Sequence, residues 1–199
     1  AYQKEDFGHG DLSMTLKAGR LGIGTSEPRA ALDVRGGIYA PGTIVQVKYA
    51  STPLNNTVRQ QIVGGEIGDA ANDIDFLEIN FTPKFTNSSV LLHAMVVHSG
   101  PFIVTLGFKQ DGYSVRTQGN NTNSPGGILT QYDGVQTTDR LYNEFVQVMI
   151  DVNGTHTRRY TVAAAASWNG SAQTVSINDR SNSSDMRSIS NFTVYEIAN

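Results

Sequence analysis

The chain has 199 residues, a formal net charge of -3 and no cysteine. The lack of cysteine excludes disulfides, Cys-ligated zinc and thiol catalysis. The lack of a Lys/Arg run argues against a nucleic-acid module, because phosphate neutralisation needs clustered cations. Charged residues make up only 17% of the chain, 20 residues are glycine, and Asn, Ser and Thr are abundant. This composition suits an exposed extracellular or virion β-protein, and no apolar run reaches the roughly 20 residues of a membrane-spanning helix.

Residues 1–20 carry no sustained helical or strand period. Only residues 13–17 predict a short strand, with Met14 and Leu16 on one face. We expect the segment as a whole to be either a flexible end or an end that a partner orders.

The next segment, residues 21–39, combines a glycine-rich strand signal with a helical patch. Leu21 and Ile23 alternate with glycines, which predicts a short strand able to approach another backbone closely. Residues 29–34 predict about one and a half helical turns, with Pro28 at the first helical position. The segment has more apolar side chains than so short an element can bury alone. We therefore expect it to be formed by more than one chain.

From residue 43 to the end, the pattern is that of strands separated by turns. The nearly continuous apolar run at residues 90–99 predicts a strand covered on both faces, and Asp111-Gly112 and Asn153-Gly154 are hairpin signals. The pattern predicts an all-β protein with an antiparallel, jelly-roll-like β-sandwich head. The predicted strands are residues 43–49, 58–63, 73–81, 90–99, 104–109, 113–116, 140–152, 158–168, 174–177 and 188–197.

Several polar stretches between these strands are predicted to be turns or loops. Residues 87–89 predict a turn, and residues 178–187 predict a polar loop. Residues 117–139 form the longest loop, and a loop of this length is usually functional or disordered. Residues 163–166 are four alanines, small on both strand faces. They indicate close packing by the opposite sheet or by a neighbouring subunit.

Carboxylates cluster in the strand predicted at residues 73–81. Asp73 and Asp75 lie two residues apart and therefore share a strand face, and Glu78 follows. A carboxylate pair can serve a glycosidase. We favour the simpler interpretation, which is a polar strand start with a solvated face.

The sequence contains no strong signal for a metal or a cofactor. His93 and His98 are five residues apart in a predicted strand and so face opposite sides. A ring of His9 side chains from several chains stays open as a metal site. The glycine-rich segment 19–24 lacks the lysine and the long following helix of a phosphate loop. We expect no catalytic residue, no cofactor and no metal.

Aromatic and polar residues in or beside the loops carry the remaining chemistry. Aromatic rings stack on sugar faces, and amide, carboxylate or guanidinium groups then fix the hydroxyls. The alternative for the aromatic residues is an ordinary place in the core or in an interface. The candidate sugar-binding residues are Tyr113, Asn121, Asn123, Tyr132, Trp168, Asn169, Arg180 and Asp185.

The stretch Gly22-Ile-Gly-Thr-Ser-Glu-Pro28, followed by Leu32-Asp-Val34 and Gly36, resembles a segment recurrent in bacteriophage tail fibres. There, a Gly-Ile-Gly-Thr-x-x-Pro turn precedes Leu-Asp-Val-x-Gly. Such segments are similar to trimeric neck modules in which three chains interweave, so the resemblance implies a trimerisation clamp. The residues expected to form it are Leu21, Ile23, Pro28, Leu32, Val34 and Ile38.

Parts of the head resemble the tip domains of marine phage and cyanophage fibres: residues 42–48, residues 79–83 with 87–90, and residues 192–197. The resemblance implies a homotrimeric tail fibre on the virion, outside the cell, whose tip contacts a host-surface glycan or protein. Its other partners would be virion tail proteins. The resemblance implies no catalytic residue, and the composition argues against nucleic acid and membrane insertion.

We therefore predict a stalk and trimerisation neck at residues 1–41 and a β-sandwich head at residues 42–199. The first and last strands of the head are expected to lie near the neck, so that the far loops touch the receptor. A trimer multiplies weak glycan contacts. Two other functions stay open. One is a polysaccharide depolymerase tip that uses Asp73, Asp75 or Glu78, and the other is a structural fibre or capsid decoration without receptor binding.

Overall fold

The computed structural model of the protein describes residues 14–36, 38, 40–52, 58–63, 73–99, 103–115, 129–132, 141–166, 172–180 and 183–199. These residues form strands, turns and irregular connections, and none of them lies in a helix. Accordingly, this part of the chain holds no helix with the length and apolarity needed to cross a membrane. The predicted all-β class is confirmed.

Strand pairing separates a small N-terminal sheet from a larger head. The small sheet, called the neck sheet, contains β1 (Met14–Lys17), β2 (Arg20–Ile23) and β3 (Leu32–Val34). The head contains β4 (Ile44–Ser51), β5 (Val58–Val63), β6 (Asp73–Phe81), β7 (Asn87–Ser99), β8 (Ile103–Gln110), β9 (Tyr113–Ser114), β10 (Leu129–Tyr132), β11 (Tyr142–Asn153), β12 (Arg158–Ala166), β13 (Ala172–Ile177), β14 (Asp179–Arg180), β15 (Ser183–Arg187) and β16 (Asn191–Ala198).

Eight of the head strands form two sheets with the connectivity of a jelly roll. Sheet I contains β4, β16, β7 and β11 in this spatial order, and sheet II contains β6, β12, β8 and β10. Numbered along the chain, these strands read 1-8-3-6 in sheet I and 2-7-4-5 in sheet II, which is the double Greek key of a jelly roll. β13 and β5 extend sheet I beyond the end of β7, β9 pairs with β8, and β14 pairs with β15. The predicted jelly-roll sandwich is confirmed.

The core lies between the two sheets and takes alternate residues from each strand. Along β16, buried and half-buried positions alternate over the whole strand. The Phe108 ring of sheet II lies 5.5 Å from the Phe192 ring of sheet I, and both side chains are fully buried. Burying a side chain of this size stabilises the fold by about 1.5–3 kcal/mol. This energy fixes which face of each strand points inward.

β12 is buried on both faces, in agreement with the prediction of close packing at its alanines. Ala163, Ala164 and Ala165 have no exposed surface. Val162 and Ala164 belong to the core between the sheets, whereas Ala163 and Ala165 form a separate cluster. The outer side of sheet II is therefore covered at this strand.

The prediction of helical turns at residues 29–34 is wrong, because the structure has strand β3 there, parallel to β2. Leu21 N donates to Ala31 O, and Arg35 N donates to Ile23 O, both at 2.8 Å. Pairing with β2 supplies hydrogen bonds at both ends of β3. A helix of one and a half turns is too short to be stable by its own hydrogen bonds.

Polar stretches at three places contain strand residues that the pattern did not predict. Residues 87–89, predicted as a turn, begin β7 and pair with β11 and β16. β10 lies within the predicted loop at residues 117–139 and pairs with β8. The predicted loop at residues 178–187 contains the β14–β15 hairpin. Strand preference depends on neighbouring strands, which the local composition does not encode.

The Asp111-Gly112 signal forms the predicted hairpin between β8 and β9. The backbone φ is +52° at Asp111 and +90° at Gly112, and positive φ at both central residues defines a type I′ turn. Asp111 Oδ1 accepts a hydrogen bond of 2.8 Å from the backbone N–H of Arg159. This bond ties the turn to the start of β12.

The chain enters and leaves the head at the same end, here called the entry end. Gly42 N donates to Ala198 O, and Ala198 N donates to Thr43 O. β4 and β16 pair from Ile44 and Ile197 onward. The first and last strands of the head are therefore neighbours, and their predicted closeness to the neck stays a prediction. The opposite end, where β7 and β12 finish, is called the far end.

A buried carboxylate joins the two sheets at the entry end. The Glu196 side chain accepts hydrogen bonds of 2.9–3.0 Å from the backbone N–H groups of Lys84 and Phe85, and one of 2.6 Å from Gln46 Nε2. Burial by itself raises the pKa of the Glu196 carboxyl, but these bonds, with one from Ser88, hold that pKa below its ordinary value. The carboxylate thereby fixes the connection between β6 and β7 against β16.

Candidate functional site

The strand register brings three of the predicted sugar-binding residues to the far end of the head. Tyr132 is the last residue of β10 and pairs with Ile103 at the start of β8. Arg180 and Asp185 belong to the β14–β15 hairpin. This hairpin follows β13, whose last residues pair with the end of β7. These strands therefore all lie at the far end.

Four other candidates, Asn121, Asn123, Trp168 and Asn169, lie outside the described residues. Trp168 and Asn169 come shortly after β12 in the sequence. The last residue of β12, Ala166, pairs with Val104 at the far end. Their role stays a prediction.

Tyr113 lies apart from the other candidates, at the entry end. It follows the Asp111-Gly112 turn and is 79% exposed. Tyr113 pairs with Gln110 and Tyr132 pairs with Ile103, which is seven residue steps away along β8. Seven steps along a strand amount to about 23 Å. The two positions are therefore too far apart to belong to one sugar-unit site. The sequence did not separate the two ends because a turn signal does not state at which end of a sandwich it lies.

A buried hydrogen-bond network holds the base of the β14–β15 hairpin. Asn178 Nδ2 donates to Thr52 Oγ1 at 2.8 Å, and Ser190 Oγ donates to Asn178 Oδ1 at 2.6 Å. Val97 N donates to Ser190 Oγ at 3.0 Å. Thr52, Asn178 and Ser190 are all buried, and paired polar groups in dry surroundings rigidify their neighbourhood. The hairpin with Arg180 therefore starts from a fixed point.

Sequence reasoning missed this network because its members are single polar residues far apart in the chain. The one local signal is Asn178, which has a φ of +61°. Asn adopts this left-handed conformation more readily than most residues. Its place directly after β13 is compatible with such a turn.

Asp73 and Asp75 share a strand face, as predicted, and both contact Lys109. Lys109 Nζ lies 2.9 Å from Asp73 Oδ2 and 2.7 Å from Asp75 Oδ1. Lys109 and Asp73 are buried, whereas Asp75 is half-exposed. Burial by itself lowers the pKa of the Lys109 amino group, but the hydrogen bonds to Asp75 and Asp73 outweigh it and raise that pKa above its ordinary value.

The alanines of β12 make this ion-pair cluster possible. β12 lies between β8 and β6, and Ala163 pairs with Gly107 on one side and Asp75 on the other. The Lys109 side chain must therefore cross β12 to reach β6. Small side chains on the outer side of β12 leave room for that crossing.

The three carboxylates considered for glycoside hydrolysis each have a cationic neighbour. Asp73 and Asp75 share Lys109, and Glu78 Oε2 lies 3.7 Å from Arg159 Nη1. A glycosidase needs one carboxyl that donates a proton and a second that attacks or activates water. Carboxylates that are ion-paired with one buried ammonium group fit a structural role better than the two different catalytic roles of a glycosidase.

His93 and His98 lie on opposite faces of β7, as predicted. The His93 ring stacks on Phe145 with 6.2 Å between centroids, and the buried His98 ring stacks on Tyr142 at 5.6 Å. Within the part of the chain that the structure describes, no three His, Asp or Glu side chains are grouped as a metal site would require.

The neck sheet leaves apolar side chains uncovered in the single chain. Leu32 is 54% exposed and Ile38 is 55% exposed, and Ile23 is also exposed. β1 adds Met14 and Leu16, which are more exposed still. Half of the residues predicted for the trimerisation clamp therefore present apolar surface to the solvent.

The remaining clamp residues are less exposed than these. Pro28 is buried, and Leu21 and Val34 are half-buried. Gly22 provides the predicted close approach, since a Cβ at this position would lie 2.7 Å from Thr25 O. These residues shape the tight connection from β2 to β3.

The comparison with models of protein families returned no match, and the comparison with curated protein sequences returned none either. Among solved structures, the chain is similar to the structure of infectious bursal disease virus, Gx strain, with 11% sequence identity, a TM-score of 0.35 and 77% of this chain covered. It is also similar to the VP2 subviral particle of infectious bursal disease virus, with 12% identity, a TM-score of 0.34 and 77% covered. The chain spans 36% and 38% of those two chains. At this level of similarity, the matches do not identify a function.

Proposed function

We propose that this protein is the tip of a homotrimeric viral tail fibre that attaches to a glycan on the host-cell surface. The neck sheet acts as the clamp between three chains, and the far end of the head binds the receptor. The observation that carries the proposal is the uncovered apolar surface of the neck sheet directly before a jelly-roll head.

A sheet as small as the neck sheet needs further apolar contacts to be stable. Three strands with an apolar face are near the lower limit for independent stability, and here Leu32 in the sheet and Ile38 just after it are more than half exposed. Packing three copies around an axis buries these side chains with closed symmetry. The resemblance of this segment to phage tail-fibre necks supports three copies rather than two.

The far end is the natural contact surface of a head held by such a neck. The chain enters at Gly42, which is hydrogen-bonded to Ala198, so the opposite end points away from the point of attachment. The β14–β15 hairpin and Tyr132 lie there, and the network around Asn178 fixes the hairpin base. A hairpin whose base is fixed before binding lowers the ordering cost of the contact.

Binding is favoured over cleavage by the state of the carboxylates. Lys109 forms ion pairs with Asp73 and Asp75, and a buried ion pair is costly to break. A sugar that approached this cluster would have to compete with an ammonium group for both carboxylates.

The direct test is a glycan array of bacterial surface polysaccharides probed with the labelled full chain. We expect selective binding by the wild type and at least about tenfold weaker binding by an Arg180→Ala, Asp185→Ala variant, because multivalent attachment amplifies each lost contact. Lys84→Ala, an exposed entry-end charge, is the matched control and should bind normally. Equal loss in the control would contradict the far-end assignment. New reducing ends in the bound glycan would instead identify a depolymerase.

A further inference from the structure

The outward side of sheet I is an apolar surface that runs across all four of its jelly-roll strands. Inward residues of β16 are buried and outward residues are half-buried. Residues paired across neighbouring strands point to the same side, so the register assigns the outward residues of β4, β7 and β11 as well. One row across the surface is Val47, Tyr195, Leu91 and Met149. We call this surface the outer face of sheet I.

Five large side chains on this face are each between 51% and 64% exposed: Ile44, Val47, Tyr49, Phe145 and Met149. For side chains of this size, these fractions amount to roughly 500 Å² of apolar surface. The largest apolar patch on a typical monomer is about 300–600 Å² and is often an interaction site, and this patch is of that size. A standard protein interface buries about 800 Å² on each partner, so these five residues alone supply more than half of one.

The charge distribution on this face points to a protein partner. Among the described outward positions of β4, β16, β7 and β11, only Asp151 is formally charged, and its Oδ1 accepts a hydrogen bond from Ser89 at 3.0 Å. Interface cores are depleted in charge and enriched in Tyr, Phe and Met. An anionic lipid surface would instead require Lys or Arg.

We infer that the outer face of sheet I packs against the head of a second copy of this chain. A face with many apolar side chains and few charges is matched by another of the same kind, and a second copy supplies one. The face is also continuous in the chain with the neck sheet, because the exposed Ile38 is followed by the exposed Ile44 after one turn at Gly42. The same neighbouring copies that cover the neck sheet therefore lie against this face.

The β11 side of the face is organised for such a contact before assembly. The Phe145 and His93 rings are stacked at 6.2 Å with 19° between their planes, and Phe145 lies on the row next to that of Gln147. An aromatic ring held by its neighbour loses little freedom on binding, which is typical of an interface anchor.

This inference rests on the proposed trimer, and the absence of cysteine allows a test that separates the two. Gln147→Cys places one thiol on the β11 side of the face, and Thr155→Cys places one on the exposed turn between β11 and β12. The full chain of each variant is treated with a short bis-maleimide. We expect covalent joining of chains for Gln147→Cys, and at least about tenfold less for Thr155→Cys. The neck tethers the heads equally in both variants, so a difference in cross-linking reports the position of the thiol.

A second variant introduces charge into the face. Phe145→Glu with Met149→Glu, placed in the Gln147→Cys chain, should reduce cross-linking at least about tenfold because like charges would meet across the interface. Thr155→Glu in the same chain is the control and should leave cross-linking unchanged. Circular dichroism checks that the heads remain folded.

The outcomes discriminate between the two proposals. A wild-type chain that is monomeric at micromolar concentration overturns both the trimer and this interface. A trimeric wild type in which Gln147→Cys and Thr155→Cys cross-link equally, or in which the added charges change nothing, overturns the interface alone.

Discussion

At the scale of single residues, Glu196 shows how a buried charge can hold a fold together. Its carboxylate is fully buried, and it accepts hydrogen bonds from Gln46, Lys84 and Phe85. Charge-assisted hydrogen bonds to backbone N–H groups are roughly twice as strong as neutral ones. They offset the cost of taking the charge out of water and lower the pKa of this carboxyl.

The lowered pKa gives Glu196 a predictable effect on acid stability. A carboxyl with a folded pKa below its unfolded value of about 4.3 stabilises the fold above that pH, and the contribution is lost as the pH falls through the folded pKa. We expect Glu196→Gln to lower the free energy of unfolding by about 2 kcal/mol or more at pH 7. The difference from wild type should shrink below about pH 4.

Urea unfolding followed at several pH values measures this effect. Glu78→Gln is the matched control, because Glu78 is half-exposed and its ion pair with Arg159 is long at 3.7 Å. We expect a change of less than about 1 kcal/mol there. A Glu196→Gln variant with the same pH profile as wild type would show that the carboxylate adds no stability through its charge.

At the scale of elements, the neck sheet depends on a close backbone approach at Gly22. The residues from Gly24 to Ala31 connect two parallel neighbouring strands. This connection is short, since parallel crossovers usually need a dozen or more residues. The chain achieves this by folding Thr25 over Gly22, where any Cβ would meet Thr25 O at 2.7 Å.

Gly22→Val should therefore open the connection between β2 and β3. The Leu21 and Arg35 amides, which donate to Ala31 O and Ile23 O, should exchange with solvent at least about tenfold faster, because local opening exposes them. Hydrogen exchange of these two amides is the measurement. Thr15→Val, at the position that pairs with Gly22, keeps the shape of its side chain and should leave both rates unchanged. Unchanged rates in the glycine variant would show that the close approach is not required.

At the scale of the whole molecule, two apolar surfaces are uncovered in one chain. They are the surface of the neck sheet and the outer face of sheet I, and they follow each other in sequence around Gly42. In the proposed trimer, neighbouring copies cover both surfaces at once. The far end stays free for the receptor in such an assembly.

The neck makes a separate prediction about assembly. Leu32→Asp with Val34→Asp should change the mass of the wild-type particle from that of three chains to that of one, because charges cannot be buried without partners. Mass photometry or sedimentation of the intact chain measures this. Ser26→Asp, on the exposed connection between β2 and β3, adds charge without touching the apolar side chains and should leave the mass unchanged. A particle of unchanged mass in the double variant would exclude the neck as the clamp.

The sequence by itself determined the all-β class, the sandwich, most strand positions and the hairpin at Asp111-Gly112. These features follow from local rules, namely the period of two in a strand and the positive φ of a turn. The sequence also indicated that the neck cannot bury its own apolar residues, since that depends only on segment length and composition.

Only the tertiary structure decided which distant residues meet. It made residues 32–34 a strand by pairing them with β2, sent Tyr113 and Tyr132 to opposite ends, and brought Lys109 across Ala163 to Asp73. It also revealed the outer face of sheet I, because apolar residues on four strands become one surface only when the register is set. Long-range pairing and side-chain crossing depend on the order of strands in space, and no local pattern of residues specifies that order.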